Sequence, residues 1–176
     1  MRVRNLAQCA LFSALLTLCA WISIPTGDIA FTFQTFGVFL TLGLLGGKQG
    51  TAAIGVYLCM GAIGLPVFTG FRGGLGVLMG ATGGYIAGFL ALGLVFWLVT
   101  ALFPGKPWAN KLGFLLGLVC CYALGTGWFY FSWLRQGSSL GLGLILAKCV
   151  LPYLIPDVIK LWLALVLTKR IKPFVY

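Results

Sequence analysis

Three uninterrupted apolar runs decide what this chain can fold into. Asn5 to Ile24, Ala81 to Phe103 and Leu112 to Leu134 each hold about 20 residues or more, enough for a helix to cross a hydrocarbon layer roughly 30 Å thick. A soluble globule is excluded by the same pattern: 61% of the 176 residues are hydrophobic and 8% are charged, against about 25% charged in a soluble domain. The first run opens with Met1-Arg2-Val3-Arg4 and has Cys19-Ala20-Trp21 near its end, as a signal peptide would. It continues through Ile24, however, and no soluble segment follows, so it is read as a first span.

The stretch from Thr35 to Gly64 contains 30 residues with Lys48 near its middle and would make a single helix ~45 Å long. An ammonium at the bilayer centre is costly, so two short spans meeting at Gly46-Gly47-Lys48-Gln49-Gly50 are expected instead. The distribution of basic residues supports the split, because cytoplasmic loops carry the excess of Lys and Arg. With six spans and the N-terminus inside, Arg2, Arg4, Lys48, Lys106, Lys111, Lys169, Arg170 and Lys172 are cytoplasmic, and only Arg72 and Arg135 face out. Five spans would put four basic residues inside and five outside. The twelve Lys and Arg are therefore read as topology signals, not as a nucleic-acid surface.

The last apolar region, Leu140 to Thr168, is interrupted by Pro152 and Pro156. Proline is tolerated in a first helical turn and costs about 3 kcal/mol in an interior. This predicts a short outer helix from Leu140 to Leu151, an irregular Pro152 to Ile155 link, and a final helix beginning near Pro156. Asp157 would then lie in a first turn, favoured by the helix dipole. The expected architecture is an all-α integral membrane protein: one domain over residues 1–176, six transmembrane helices, both termini cytoplasmic and the last helix broken by prolines.

Chemistry narrows the function further. The chain has no histidine, no glutamate and two aspartates, Asp28 and Asp157, so histidine triads, zinc-protease motifs and paired carboxylates lack their parts. Its six cysteines lie in apolar stretches without a CxxC pair and are read as small buried hydrophobes, with no metal or cofactor site. Asp157 and Lys160 stand three apart on one helical face within an apolar segment, where ionisable residues mark a functional site or a self-neutralising pair. From Gly61 to Gly88 there are ten glycines, set among Gly64-Leu65-Pro66-Val67-Phe68, Arg72-Gly73-Gly74 and Gly80-Ala81-Thr82-Gly83-Gly84-Tyr85. This is not a phosphate loop, since Lys48 lacks both the upstream glycine and the following hydroxyl residue. The first loop, Pro25 to Phe36, brings Phe31, Thr32, Phe33 and Gln34 and would serve as a connection or a lid. On the first span, Ala10 and Ala14, with Ser13 and Thr17 alongside, offer a small-residue surface to another helix.

In this order the features resemble the BioY family, the biotin-specific substrate-binding (S) components of energy-coupling factor (ECF) transporters. The resemblance rests on Ala10-x-x-x-Ala14, Thr32-Phe33-Gln34-Thr35-Phe36, Gly64-Leu65-Pro66-Val67-Phe68, Gly80-x-Thr82-Gly83-Gly84-Tyr85 and Pro152-x-x-x-Pro156-Asp157-x-x-Lys160. Two details depart from the family: Ala81 stands where proline is usual, and Pro25-Thr26-Gly27-Asp28 differs from the usual proline-rich form. The resemblance implies a multi-pass protein of a prokaryotic plasma membrane that captures biotin from outside. Its ligand groups would be Asp157, Lys160, Thr82, Tyr85, Thr32 and Gln34; Arg72, one of two basic residues in the expected outer loops and beside Gly73-Gly74, is the candidate to attract the ligand carboxylate or else a solvated loop charge. It further implies that uptake needs a transmembrane coupling (T) protein and two ABC-type ATPases, that Ala10 and Ala14 face the coupling protein, and that the whole S component topples in the membrane to release its ligand.

Other readings are weaker on the residues present. The same architecture could serve another vitamin. An intramembrane acyl transferase would want a nucleophile with a base, yet the only carboxylates are Asp28 and Asp157; a channel or secondary transporter would usually show charged rings or matching halves, and the sequence shows no internal repeat.

Overall fold

The structure is a computed structural model and describes residues 3–24, 30–135 and 141–175. Expectations resting on Arg2, on Pro25 to Ile29 of the first loop and on Leu140 lie outside the described residues. Among those described, the elements are α1 (Val3–Trp21), β1 (Ser23–Ile24), β2 (Phe31–Thr32), α2 (Gln34–Ala62), α3 (Leu75–Met79), α4 (Gly83–Leu102), α5 (Pro107–Arg135), α6 (Leu142–Cys149) and α7 (Leu151–Val175). The strands pair antiparallel, Ser23 opposite Thr32 and Ile24 opposite Phe31. Neither they nor the short α3 was expected from the sequence.

The split at Lys48 is present inside α2. Gly46 adopts φ 77° and ψ 176°, a region essentially restricted to glycine, and the chain reverses there. On the return, a Cβ at Gly50 would lie 3.0 Å from the Leu42 Cα, and Gln34 reaches across to Tyr57 at 2.7 Å. Residues 34–45 and 47–62 are thus two antiparallel arms. Four other segments are long and apolar enough to cross a membrane, Val3–Trp21, Gly83–Leu102, Pro107–Arg135 and Gly143–Pro173. With the two arms, six spans fit the count.

Small residues let these helices approach. α4 and α5 pack through reciprocal glycines: Gly88 lies under Cys121, Gly117 faces Leu92, Gly113 faces Phe96, and Gly84 and Gly125 receive Trp128 and Tyr85. On α1, Phe12, Leu16, Cys19 and Ala20 recur at helical spacing and are buried. Ser13 Oγ lies between the Cys9 carbonyl at 2.8 Å and the Ala53 carbonyl at 2.9 Å, which ties α1 to the second arm of α2. Ser13 and Thr17 thereby face inward while Ala10 and Ala14 are exposed, so these small residues divide between two faces. Of the cysteines, Cys59 is exposed and Cys120 half-buried, whereas the other four are buried as expected.

The last region corrects the sequence expectation. The break falls at Val150, and α7 runs unbroken from Leu151 through Pro156. Pro152 occupies the first turn, where its missing N–H has no intrahelical partner to lose. Tyr153 and Leu154 both donate to the Val150 carbonyl, at 3.1 Å each, and carry the chain into the helix. Pro156 forfeits only the bond to the carbonyl four residues back. Asp157 consequently lies in the second turn of α7, and no acidic residue occupies the first. Side chains, not the helix terminus, hold its carboxylate.

The start of α1, the turn of α2, the end of α4 and the end of α7 meet at one end of the bundle. Cys9 there lies 3.9 Å from the Gln49 carbonyl, Gly47 packs on Trp97, and Gly43 packs on Thr168. The other end carries the strand pair, the 64–74 loop and the α6–α7 junction.

Candidate functional site

At that second end lies a cavity of about 490 Å³, within the size range of small-molecule sites. Its apolar wall includes Phe68, Val77, Ile86, Phe89 and Leu118, from the loop, α3, α4 and α5. All seven residues singled out from the sequence as ligand groups, Thr32, Gln34, Arg72, Thr82, Tyr85, Asp157 and Lys160, lie on its lining. They come from four separate parts of the chain, 32–34, 72, 82–85 and 157–160.

The polar end is built around the ion pair. Asp157 and Lys160 are each only 4% exposed, and Lys160 Nζ lies 2.8 Å from Asp157 Oδ1. Helical spacing of three puts both on one face of α7, and α2 and α5 close over them. Thr35 donates to Asp157 Oδ1 at 2.8 Å, and Tyr122 donates to Oδ2 at 2.6 Å. Lys160 also donates to the Thr32 carbonyl at 2.7 Å and to Thr35 Oγ1 at 3.1 Å, while its ammonium sits 4.1 Å from the centre of the Phe31 ring. The three N–H bonds of the lysine are all committed within the protein. A buried pair so completely hydrogen-bonded avoids the penalty of an isolated buried charge.

The second cluster braces the roof. Gln34 Oε1 accepts from Thr32 at 3.1 Å and from Thr69 at 3.2 Å, and its Nε2 donates to Tyr57 at 2.7 Å. Tyr57 in turn donates to the Val67 carbonyl at 3.2 Å. Gln34 therefore joins β2 to the 64–74 loop, and its carbonyl is occupied by protein hydroxyls. That loop is held by Phe68 N–H on the Arg72 carbonyl at 2.9 Å and Gly74 N–H on the Gly61 carbonyl at 2.7 Å. Above it, Trp21 donates to the Pro66 carbonyl at 3.0 Å and packs at a tilt of 36° against Phe71 with centroids 4.7 Å apart. On the α4–α5 side, Tyr85 and Thr126 hydroxyls are 2.9 Å apart, and Trp128 donates to the Gly80 carbonyl at 2.9 Å.

Sequence reasoning missed Tyr122, Thr35 and Thr69. Tyr122 and Thr35 are 35 and 122 positions from Asp157. The available signal was indirect: a carboxylate in an apolar segment requires donors, and hydroxyl residues on neighbouring spans are where to seek them.

A bundle of membrane-spanning helices enclosing a polar-ended cavity at one end defines a small-molecule-binding membrane component. Its fold matches the crystal structure of the S component for biotin from an ECF-type ABC transporter with a TM-score of 0.84 and 27% identity, covering 98% of this chain and 92% of that one. A second S component of a bacterial ECF transporter shares the fold at a TM-score of 0.63 and 14% identity, over 99% and 98% of the two chains. The sequence model of the BioY family matches residues 1–176, and the chain belongs to that family. It is 40% identical to the biotin transporter of Thermotoga maritima over 97% of this chain and 96% of the relative. It is also 34% identical to the probable biotin transporter of Pyrococcus horikoshii over 98% of both.

Proposed function

We propose that this chain is a biotin-binding S component, capturing biotin in the 490 Å³ cavity for uptake by an ECF-type ABC transporter. The observation that carries the reading is the buried Asp157–Lys160 pair at the polar end of that cavity, in a chain of the BioY family. A cyclic urea offers two N–H donors and one carbonyl. Asp157 accepts an N–H, and Lys160 reaches the carbonyl by releasing the Thr32 carbonyl, which exchanges one acceptor for another. The aromatic and aliphatic wall covers the thiophane ring and chain. Thr82 and Tyr85 border the ligand from α4, and Arg72 attracts the carboxylate at the tail. Gln34 acts chiefly as the roof brace and touches the ligand, with Thr32, from above.

The cavity end faces outward and the opposite end faces the cytoplasm, where Arg4, Lys48, Lys106, Lys111, Lys169, Arg170 and Lys172 gather, consistent with the positive-inside rule. Both termini are then cytoplasmic, and residues 1–176 form a single multi-pass domain in a prokaryotic plasma membrane. The chain binds its vitamin ligand, carries no nucleotide site of its own and does not hydrolyse ATP. A T protein and two ABC-type ATPases supply the energy, and the reading requires no cofactor. Ala10 and Ala14, exposed on α1, form the surface for the T protein.

Calorimetry of biotin against the purified chain in detergent tests the reading, with a panel of other vitamins alongside. Saturable binding of biotin alone is expected. Binding of a different vitamin in preference to biotin would transfer the site to that ligand.

A further inference from the structure

The hydrogen-bond inventory at Asp157 assigns a task to two residues outside the Asp-x-x-Lys motif. An ionised carboxylate has about four acceptor sites. On Oδ1, Thr35 and Lys160 fill two of them at 2.8 Å each, and on Oδ2 Tyr122 fills a third at 2.6 Å. Among the described residues one acceptor site on Oδ2 is left without a donor, on a residue of the cavity wall. Thr35 gives its only proton to Asp157 and accepts from Lys160 at 3.1 Å, and Tyr122 gives its only proton to Asp157. Neither can donate to a ligand without abandoning the carboxylate. Together these groups offer a ligand acceptors and no free donor.

We infer that Tyr122 and Thr35 are positioning residues that orient the Asp157 carboxylate so that its last acceptor site reads an N–H of the ligand. This rests on the biotin reading above and adds the source of the site's selectivity for a donor. The geometry is suited to the task because the two hydroxyls approach from different helices, Thr35 from the first turn of α2 and Tyr122 from mid-α5. They hold opposite oxygens of the carboxylate, fixing its rotation as well as its place. Without Tyr122, Oδ2 has no donor among the described residues, and the carboxylate is held at Oδ1 alone, by Thr35 and Lys160. A ligand N–H must then order it on binding.

The test compares biotin with two analogues, each methylated at one of the two ureido nitrogens, by calorimetry on the full chain in detergent. Tyr122→Phe should weaken biotin roughly 10- to 100-fold, as for loss of a hydrogen bond to a charged group. The analogue that lacks the N–H facing Asp157 should be affected only within about twofold, because the interaction that Tyr122 supports is already gone. Thr35→Val should behave in the same way, and Thr35→Ser, which keeps the hydroxyl, should restore wild-type affinity. Equal losses for biotin and both analogues would make Tyr122 merely structural and overturn the inference. Failure of Thr35→Ser to rescue would do the same. If Tyr122→Phe does not fold, the two Thr35 variants decide the question alone. Wild-type protein that binds no biotin overturns the functional reading itself, a result separate from any ranking of variants.

Discussion

Replacing Lys160 by methionine separates two things the ion pair does, holding the fold and holding the ligand. The substitution keeps a long apolar stem and removes three hydrogen bonds, to the Thr32 carbonyl, Thr35 Oγ1 and Asp157 Oδ1 at 2.7, 3.1 and 2.8 Å. Asp157, 4% exposed, is left charged with two hydroxyl donors among the described residues, Thr35 and Tyr122. Removing one partner of a buried pair destabilises by about 3–5 kcal/mol, which lowers the unfolding midpoint on the order of 10 °C in a chain of this size. The affinity loss follows separately: truncating a buried, hydrogen-bonded charge at an interface costs about 2–5 kcal/mol, a factor of roughly 30 to several thousand in Kd. In the double variant Asp157→Asn/Lys160→Met no net charge remains buried; the amide carbonyl accepts from one of the two hydroxyls that hold opposite oxygens of Asp157, and the amide NH2 donates to the oxygen of the other. Stability should therefore recover most of the way while binding stays lost. Thermal unfolding in detergent reads the first quantity and calorimetry with biotin the second. Retention of biotin affinity within a few-fold by Lys160→Met, or recovery of binding together with stability in the double variant, would refute the assignment of the pair to the ligand.

Further outcomes follow from other parts of the structure. Arg72→Ala should weaken biotin and leave biotin amide, which has a neutral tail, largely unaffected; equal losses in titrations of the two would remove Arg72 from the carboxylate. Gly125→Val should lower both the unfolding midpoint and biotin affinity, because a Cβ there collides with the Tyr85 ring, whereas Gly127→Ala, with nothing within 4 Å of its added carbon, should change neither. Ala14→Trp should abolish uptake in cells that carry the coupling complex, and co-purification with it, yet leave biotin binding by the isolated chain intact. Joint loss of binding and co-purification would instead place Ala14 in this protein's own packing.

The spans were legible because their signal is long-range in length but local in sequence: apolar runs of the required size, and one lysine that no continuous helix could carry through the bilayer. Gly46 then supplied the backbone geometry for the reversal that Lys48 demanded. The Asp157–Lys160 pair was legible for a related reason, since two charges in an apolar helix stand out whatever surrounds them. What surrounds them did not stand out. Tyr122 and Thr35 are ordinary residues in apolar helices, and their importance arises only when α2, α5 and α7 converge. Gln34 was legible as a polar residue at the cavity and not as a brace, because Thr69 and Tyr57, which occupy its amide, come from a loop and from the far arm of α2. Pro156 misled because it was taken as the helix start, whereas the helix begins five residues upstream at Leu151 and carries Pro156 in its interior at the loss of one backbone hydrogen bond.

The same helix, α1, shows how capture and coupling can be kept apart in one small chain. Its inner face is fully engaged: Phe12, Leu16 and Ala20 are buried, and Ser13 is bound to the backbone of α2 at Ala53, so that face is fixed by this protein's own packing. The outer face presents Ala7, Ala10 and Ala14 between exposed Leu6, Leu11 and Leu18. In lipid there is no hydrophobic gain from covering such a face, and association depends on close van der Waals approach, which small side chains permit. None of Ala7, Ala10 and Ala14 lines the cavity. A partner helix settling there in the proposed complex would meet α1 without displacing any group that holds Asp157, Lys160 or Gln34. Ligand affinity and coupling should consequently vary independently under substitution of these alanines, and a chain that binds biotin unaided can still depend on its partners for every molecule it delivers.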